Sequence, residues 1–339
     1  MGKPGGVEMS DVEDSEPRWM GPYEMPMIEY AVYTAMIYAA KRAEKNSAPD
    51  SLTTSFPALD AWIGGLRPGK LYVIASAPDA GKTTFLLSMI GHLCLDAKVG
   101  GMLFSGDLTA NQVCLRLIAT HSRTVLSDDV QLSPLRKGDL LRIKETAKQM
   151  SNSGLGIDDA RGLSVDELRA KVYQHKRSKK LAFIGIDHLH LLRASSARVG
   201  KLCKSERDEV IMKLKGLARE LQVPVIVLAH MKARAEGKSQ LRACDVKGSG
   251  MIAHEADVIC FLKRHVGGAL QEYQIEKDQE WTELQIVKTG DGRSGAIGLS
   301  YCEELEQLIP LLNAVEEQDD AWDQHFHTDH TDDDDPDAA

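Results

Sequence analysis

At 339 residues with 43% hydrophobic content, the chain can bury a sizeable core as one large α/β domain with extensions or as two modest domains. The net charge of −9 excludes a uniformly basic protein, but the acidity sits at the ends: residues 316–339 hold eleven acids and no Lys or Arg, residues 1–17 hold five acids against one base, and 18–315 carry 40 bases against 34 acids. Six scattered cysteines without a C-x-x-C pair argue against a zinc ribbon or a disulfide framework, and no apolar run approaches the roughly eighteen residues of a membrane span, so a soluble, cytoplasmic protein is expected.

Residues 1–25 are rich in Gly, Pro and acids and are expected to be disordered. From Pro26, the residues Met27, Ile28, Ala31, Val32, Ala35, Met36, Ala39 and Ala40 recur at helical spacing. A helix that is apolar on nearly every side has to be enclosed, by its own domain or by a neighbouring subunit; the pattern leaves both open, and 26–50 is read as a linker helix. Phe56 to Lys70, with Gly64-Gly65 and Pro68-Gly69, reads as a loop. Strand-like Leu71–Ala75 then leads into S-A-P-D-A-G-K-T-T (Ser76, Ala77, Pro78, Asp79, Ala80, Gly81, Lys82, Thr83, Thr84) and a helix over 85–95. A loop that wraps a triphosphate needs small residues where backbone approaches oxygen, a lysine for the β/γ charge and a hydroxyl for Mg²⁺. Gly81, Lys82 and Thr83 meet that need at P-loop spacing, although Ser76 stands where the pattern has its first glycine. A nucleoside triphosphatase using ATP or another NTP with Mg²⁺ is predicted.

Downstream, strands are expected at 101–104, 155–157, 181–186, 224–229, 258–262, 284–287 and 297–299. Helices are expected at 111–120, from Ser164 with Glu167 completing a capping box, and at 206–221. Apolar strands alternating with amphipathic helices predict a mostly parallel central sheet with helices on both faces and ligands at the carboxyl ends of its strands. Those ends are polar. The 181–186 run is tipped by Asp187, suited to holding Mg²⁺; 224–229 is followed by His230, placed to sense a γ-phosphate; and Asp107 follows 101–104 as the candidate base that orients the attacking water.

The stretches 64–75, Phe104-Ser105-Gly106-Asp107-Leu108, 186–192, 214–230, 245–259 and 287–295 together resemble, in order, the DnaB-type replicative helicases, and more closely the helicase half of bacteriophage primase-helicases. The resemblance covers roughly residues 52–300 and implies, for a domain over 51–315, a RecA-like P-loop ATPase that forms hexameric rings, binds nucleotide between subunits and moves 5′ to 3′ on single-stranded or forked DNA. It also favours docking of the 26–50 linker helix on a neighbouring subunit. It implies Lys82 and Thr83 on phosphates and Mg²⁺, Asp187 as the Walker B acid, His230 as the sensor, and Lys247, Gly248, Ser249 and Gly250 in a loop facing DNA. A separate primase, polymerase or loader is an expected partner.

The sequence also departs from the family. Asp stands at 107 where Glu is usual, and Gly290 occupies the place of an arginine finger in some members, which leaves Arg264, the preferred candidate, or Arg293 for that role. The basic stretch after Asp187, with Arg198 and Lys201, is either a second DNA-facing loop or a solvated one. The acidic 316–339 tail is expected to be disordered, either solubilising the chain, docking on a basic polymerase or primase surface, or competing with DNA for the channel; His325, His327 and His330 beside its aspartates could take up stray metal.

Overall fold

The computed structural model describes residues 51–124, 137–194, 204–248, 250–266, 280–302 and 307–310. The expected linker helix, Arg198, Lys201, Ser249 and the acidic tail lie outside these residues. The chain divides into Met1–Pro49 and Asp50–Ala339, and every element below belongs to the second unit.

In chain order the elements are α1 (Pro57–Ile63), β1 (Leu71–Ser76), α2 (Lys82–Gly91), β2 (Met102–Ser105), α3 (Ala110–Ser122), α4 (Lys137–Asn152), β3 (Gly156–Asp158), α5 (Val165–Ser178), β4 (Ile184–Asp187), α6 (Lys204–Leu221), β5 (Val225–His230), α7 (Gly250–Glu255), β6 (Val258–Val266), β7 (Glu280–Lys288), β8 (Gly295–Cys302) and β9 (Gln307–Pro310). They build one sheet in the order β3-β2-β4-β5-β1-β6-β7-β8-β9. The first six strands run parallel and the last three continue antiparallel. The eight strands expected from apolar runs all form.

Two-residue alternation splits the apolar side chains between two cores. Leu71, Val73 and Ala75 of β1, with Val225, Val227 and Ala229 of β5, enter one core and meet α5 and α6 through Leu168, Val172, Leu214 and Ala218. Tyr72 and Ile74, with Ile226 and Leu228, enter the other and meet α1, α2 and α3 through Leu59, Phe85, Ile90 and Val113. Strands buried on both faces need helices on both faces, and the molecule has that architecture. Among the described residues, no helix is long and apolar enough to cross a membrane.

Three local features differ from the sequence expectation. Residues 57–63 form a helix where a loop was expected, because Pro57 fits a first helical turn, Gly64 ends the helix at φ 68°, and Phe56 stacks on Phe85 with ring centroids 4.6 Å apart. The helix after the P-loop begins at Lys82 and ends in a π-helical turn, His92–Asp96. Helix α4 and strand β9 had no counterpart in the reading. The Ser164 capping box forms as expected, with Ser164 N donating to Glu167 Oε2 over 2.7 Å.

Beneath the sheet's amino edge, Asp257 accepts hydrogen bonds from Leu71 N at 2.8 Å, Lys70 Nζ at 3.0 Å and the buried Lys215 Nζ. Burial alone would raise its pKa, but the bonds from Lys215, Leu71 and Lys70 together hold it below the ordinary 3.8. A depressed carboxylate adds stability above its unfolded pKa and loses it as pH falls through the folded value. Asp257→Asn should therefore lower stability by about 2–3 kcal/mol at neutral pH, since Lys215 would be left buried beside a neutral amide. The gap from wild type should close in acid below 3.8; denaturant melts at the two pH values check it.

Candidate functional site

The carboxyl ends of β2, β4, β5 and β1 lie side by side in the sheet. The register aligns Ser105 with Asp187 and Ser76 with His230, so residues far apart in sequence share one edge. From β1 the chain turns through Ala77–Gly81 into α2. Gly81 caps that helix at φ 85°, where a side chain would be strained, and Asp79 takes φ 58°, a conformation aspartate tolerates. The loop delivers the amino end of α2 to a polar cleft, as anion binding requires.

Ser76 explains how this loop does without its usual first glycine. Its side chain is fully buried, and Oγ donates to the Ala77 carbonyl over 2.6 Å, so it folds onto its own backbone. The cleft it borders is about 240 Å³ and is lined by Asp79 to Thr84 together with Arg116, Arg264, Thr282, Tyr301 and Leu308.

Thr83 Oγ1 donates to Asp187 Oδ2 over 2.8 Å. Asp187 is 3% exposed, its Oδ1 has no hydrogen-bond partner, and burial raises its pKa above 3.8 against the Thr83 bond and the neighbouring His188 and Lys82. A buried carboxylate oxygen with a spare lone pair, next to a threonine hydroxyl and a lysine, is a donor set that suits Mg²⁺. Residues Thr83 and Asp187 thus fit the ion expected of them.

Asp107 lies just beyond β2 and is exposed, with Oδ2 3.1 Å from His188 Nδ1 but not aligned with it as a hydrogen bond. His188 Nε2 is 3.0 Å from His230 Nε2, and the ring of His190 lies 5.2 Å from that of His230. Burial lowers the pKa of all three rings, to about 3 for His190 and about 4 for His230; the nearby His188 lowers both further, and Lys82 also lowers His230. All three are therefore neutral near pH 7.

The loop after β5 is pinned to this cluster. Lys247 N donates to the His230 carbonyl over 2.8 Å, and His190 Nε2 lies 3.1 Å from the Lys247 carbonyl. Below it, buried Asp245 accepts from Arg242 N at 3.0 Å and Lys238 Nζ at 2.7 Å. The Lys247 side chain stays exposed; Gly248 turns at φ 139°, and Gly250 opens α7.

The two arginines considered for transition-state charge occupy different places. Arg264 lies in the cleft of its own P-loop, with Nε donating to Glu280 Oε2 over 2.9 Å and its guanidinium 5.7 Å from the Tyr301 ring centroid. Arg293 projects from the β7–β8 turn, donates to Asp291 Oδ2 at 2.8 Å and to the Trp62 carbonyl at 3.0 Å, and is not among the residues lining the cleft. No sequence motif assigns a role to His188, His190, Arg116, Tyr301 or Leu308, which the fold brings to the site. The D-H-x-H spacing at the end of β4 was the available signal for the first two; the other three reach the cleft through α3, β8 and β9, which no local pattern announces.

Comparison with known proteins adds the following. Residues 51–309 match the family model described as the DnaB-like helicase C terminal domain. The chain is 29% identical over 263 residues to the replicative DNA helicase DnaC of Bacillus subtilis, covering 77% of this chain and 56% of that protein. It is 28% identical over 271 residues to the replicative DNA helicase DnaB of Geobacillus stearothermophilus, covering 78% and 58%. It thus spans a little more than half the length of these relatives. Among solved structures, one that consists of an ATPase domain alone superposes with a TM-score of 0.69 at 24% identity, covering 85% of this chain and 100% of that one. A DnaB-like replicative helicase, described with its interactions with primase, gives 0.67 at 24% identity over 84% and 67%. The fold they share with this chain is the expected RecA-like α/β sheet.

Proposed function

The chain belongs to the DnaB-like helicase C-terminal domain family, and from that premise we propose that it is an ATP-dependent replicative DNA helicase. In this reading it assembles as a ring, a hexamer, moves 5′ to 3′ on single-stranded DNA in the cytoplasm and parts forked duplex ahead, working with a separate primase, polymerase or loader. The observation that carries the reading is the main-chain bond from Lys247 N to the His230 carbonyl, which ties the phosphate end of the cleft directly to an exposed lysine on a glycine loop.

Lys82 and the amino end of α2 hold the β- and γ-phosphates, while Thr83 and Asp187 would hold Mg²⁺, which when bound would neutralise charge on those phosphates. Asp107, on the open side, orients water for attack, and His230 contacts the γ-phosphate. Release of that contact moves the His230 carbonyl, and with it Lys247 and the amides of Gly248, Ser249 and Gly250 that grip the DNA backbone. Arg198 and Lys201 are assigned to the same DNA path.

Single-stranded DNA is therefore expected to stimulate ATP hydrolysis, and Lys247→Ala to weaken that stimulation and flatten its salt dependence, because one phosphate contact per subunit is lost. ATP turnover that ignores DNA would contradict the proposal. For Arg264 we assign the nucleotide base, held against Tyr301, and give the trans-acting finger to Arg293. Arg264→Ala should then raise KM for ATP about tenfold, the scale of a lost ring contact, with kcat nearly kept, whereas a finger would lose kcat instead. Steady-state kinetics separate the two.

A further inference from the structure

His188 and His190 stand at the end of β4, and His230 ends the neighbouring β5. One ligating nitrogen from each lies within 4.8 Å of those of the other two. The rings are packed together, with centroids 4.5 Å apart for His188 and His230, 5.6 Å for His188 and His190, and 5.2 Å for His190 and His230. His188 retains only 7% of its surface, and the Nδ1 atoms of His190 and His230 are buried with no hydrogen-bond partner. Buried ring nitrogens without partners are costly unless something occupies them.

The surroundings orient the rings as a metal site does. The Asp107 carboxylate stands 3.1 Å from His188 Nδ1, and a small ring rotation aligns it to accept that N–H, leaving Nε2 with its lone pair. The Lys247 carbonyl lies 3.1 Å from His190 Nε2, which engages that nitrogen and leaves Nδ1 free. A carboxylate or carbonyl on the far nitrogen is the usual support of a histidine that binds a metal. His188 and His230 cannot both point an N–H along their shared 3.0 Å contact, so at least one offers a lone pair there.

We propose that His188, His190 and His230 form a binding site for one first-row divalent transition-metal ion, Zn²⁺ foremost, distinct from the oxygen-rich Mg²⁺ site at Thr83 and Asp187. Three imidazoles with an open fourth position suit Zn²⁺ or Co²⁺ and not Mg²⁺, which takes oxygen ligands. Tetrahedral coordination at Zn–N of about 2.0–2.1 Å brings ligand nitrogens to about 3.3 Å from each other, so nitrogens that lie within 4.8 Å of one another have to close by at most about 1.5 Å. An ion there also withholds His230 from the nucleotide, a consequence that rests on the function proposed above, whereas the site itself does not.

The test is Co²⁺ titration of the full chain, stripped of metal by chelator and held in millimolar Mg²⁺, read by visible d–d absorption. The expected result is one equivalent of Co²⁺ per chain, displaced by Zn²⁺, with affinity reduced at least tenfold in His188→Ala, His190→Ala and His230→Ala. His190→Gln can still donate to the Lys247 carbonyl but lacks the ring; far-ultraviolet circular dichroism shows it folded, and it should lose Co²⁺ as the alanine variants do. Asp187→Asn, and a tail variant with His325, His327 and His330 all changed to Ala, should keep the signal. No absorption at one equivalent, a signal unchanged in folded His190→Gln, or a signal abolished by the tail variant overturns the proposal.

Discussion

Asp187→Asn is expected to lower kcat for ATP hydrolysis by about 10²–10³ while leaving the unfolding midpoint unchanged or higher. The carboxylate is buried at the end of β4 with one oxygen on Thr83 and the other unpaired, an arrangement that costs the fold stability and suits a cation. Because burial raises its pKa, the native state holds the Asp187 proton more tightly than the unfolded chain does. Its destabilising effect therefore grows as pH rises from the unfolded value through the folded one, and is complete at neutral pH. Asparagine still accepts the Thr83 hydrogen bond and carries no charge. Any gain in midpoint should be largest at neutral pH and vanish below 3.8, where both side chains are neutral. Thermal melts beside steady-state turnover check both halves, and a variant that keeps turnover or unfolds well below wild type would contradict the assignment.

Lys82→Ala should reduce hydrolysis by about 10³, the upper end of what one preorganised charge contributes, without disturbing the fold. The lysine opens α2 directly after the αL turn at Gly81 and lines the cleft, and among the described residues its ammonium is committed to no protein acceptor. No stabilising contact is lost with it, only charge at the place where phosphate arrives. Lys82→Arg is expected to fail as well, since a planar guanidinium does not reproduce a compact ammonium in a loop of this size. Turnover within tenfold of wild type in Lys82→Ala would remove the P-loop assignment.

Strands β1, β2, β4 and β5 were legible because each is buried on both faces and ends on a polar residue, a pattern that buried parallel strands impose directly. Asp187 and His230 could be named from that ending, and Gly81, Lys82 and Thr83 from their spacing. Helix α1 was hidden because the turn signals of Gly64-Gly65 and Pro68-Gly69 outweigh the three apolar residues Phe56, Leu59 and Ile63, whose meaning appears only when Phe85 is laid against them. Strand β9 is four residues long and owes its existence to pairing with β8, a long-range event. Arg264 had the right neighbourhood and an unexpected orientation. Its side chain faces its own P-loop because β6 lies immediately beside β1, a strand order that sequence periodicity does not encode. The histidine cluster likewise depends on β4 pairing with β5, which sets His188 against a ring 42 residues away.

In the function proposed above, phosphate chemistry in the cleft drives movement on DNA. The measurement that meets it most directly is strand release from a forked duplex with ATP and Mg²⁺, wild type beside Lys82→Ala at equal concentration. Release by the wild type that requires ATP, and none by the variant, is the expected result. Equal release by both proteins, or a wild type that hydrolyses ATP in response to single-stranded DNA yet leaves the fork intact, would contradict it.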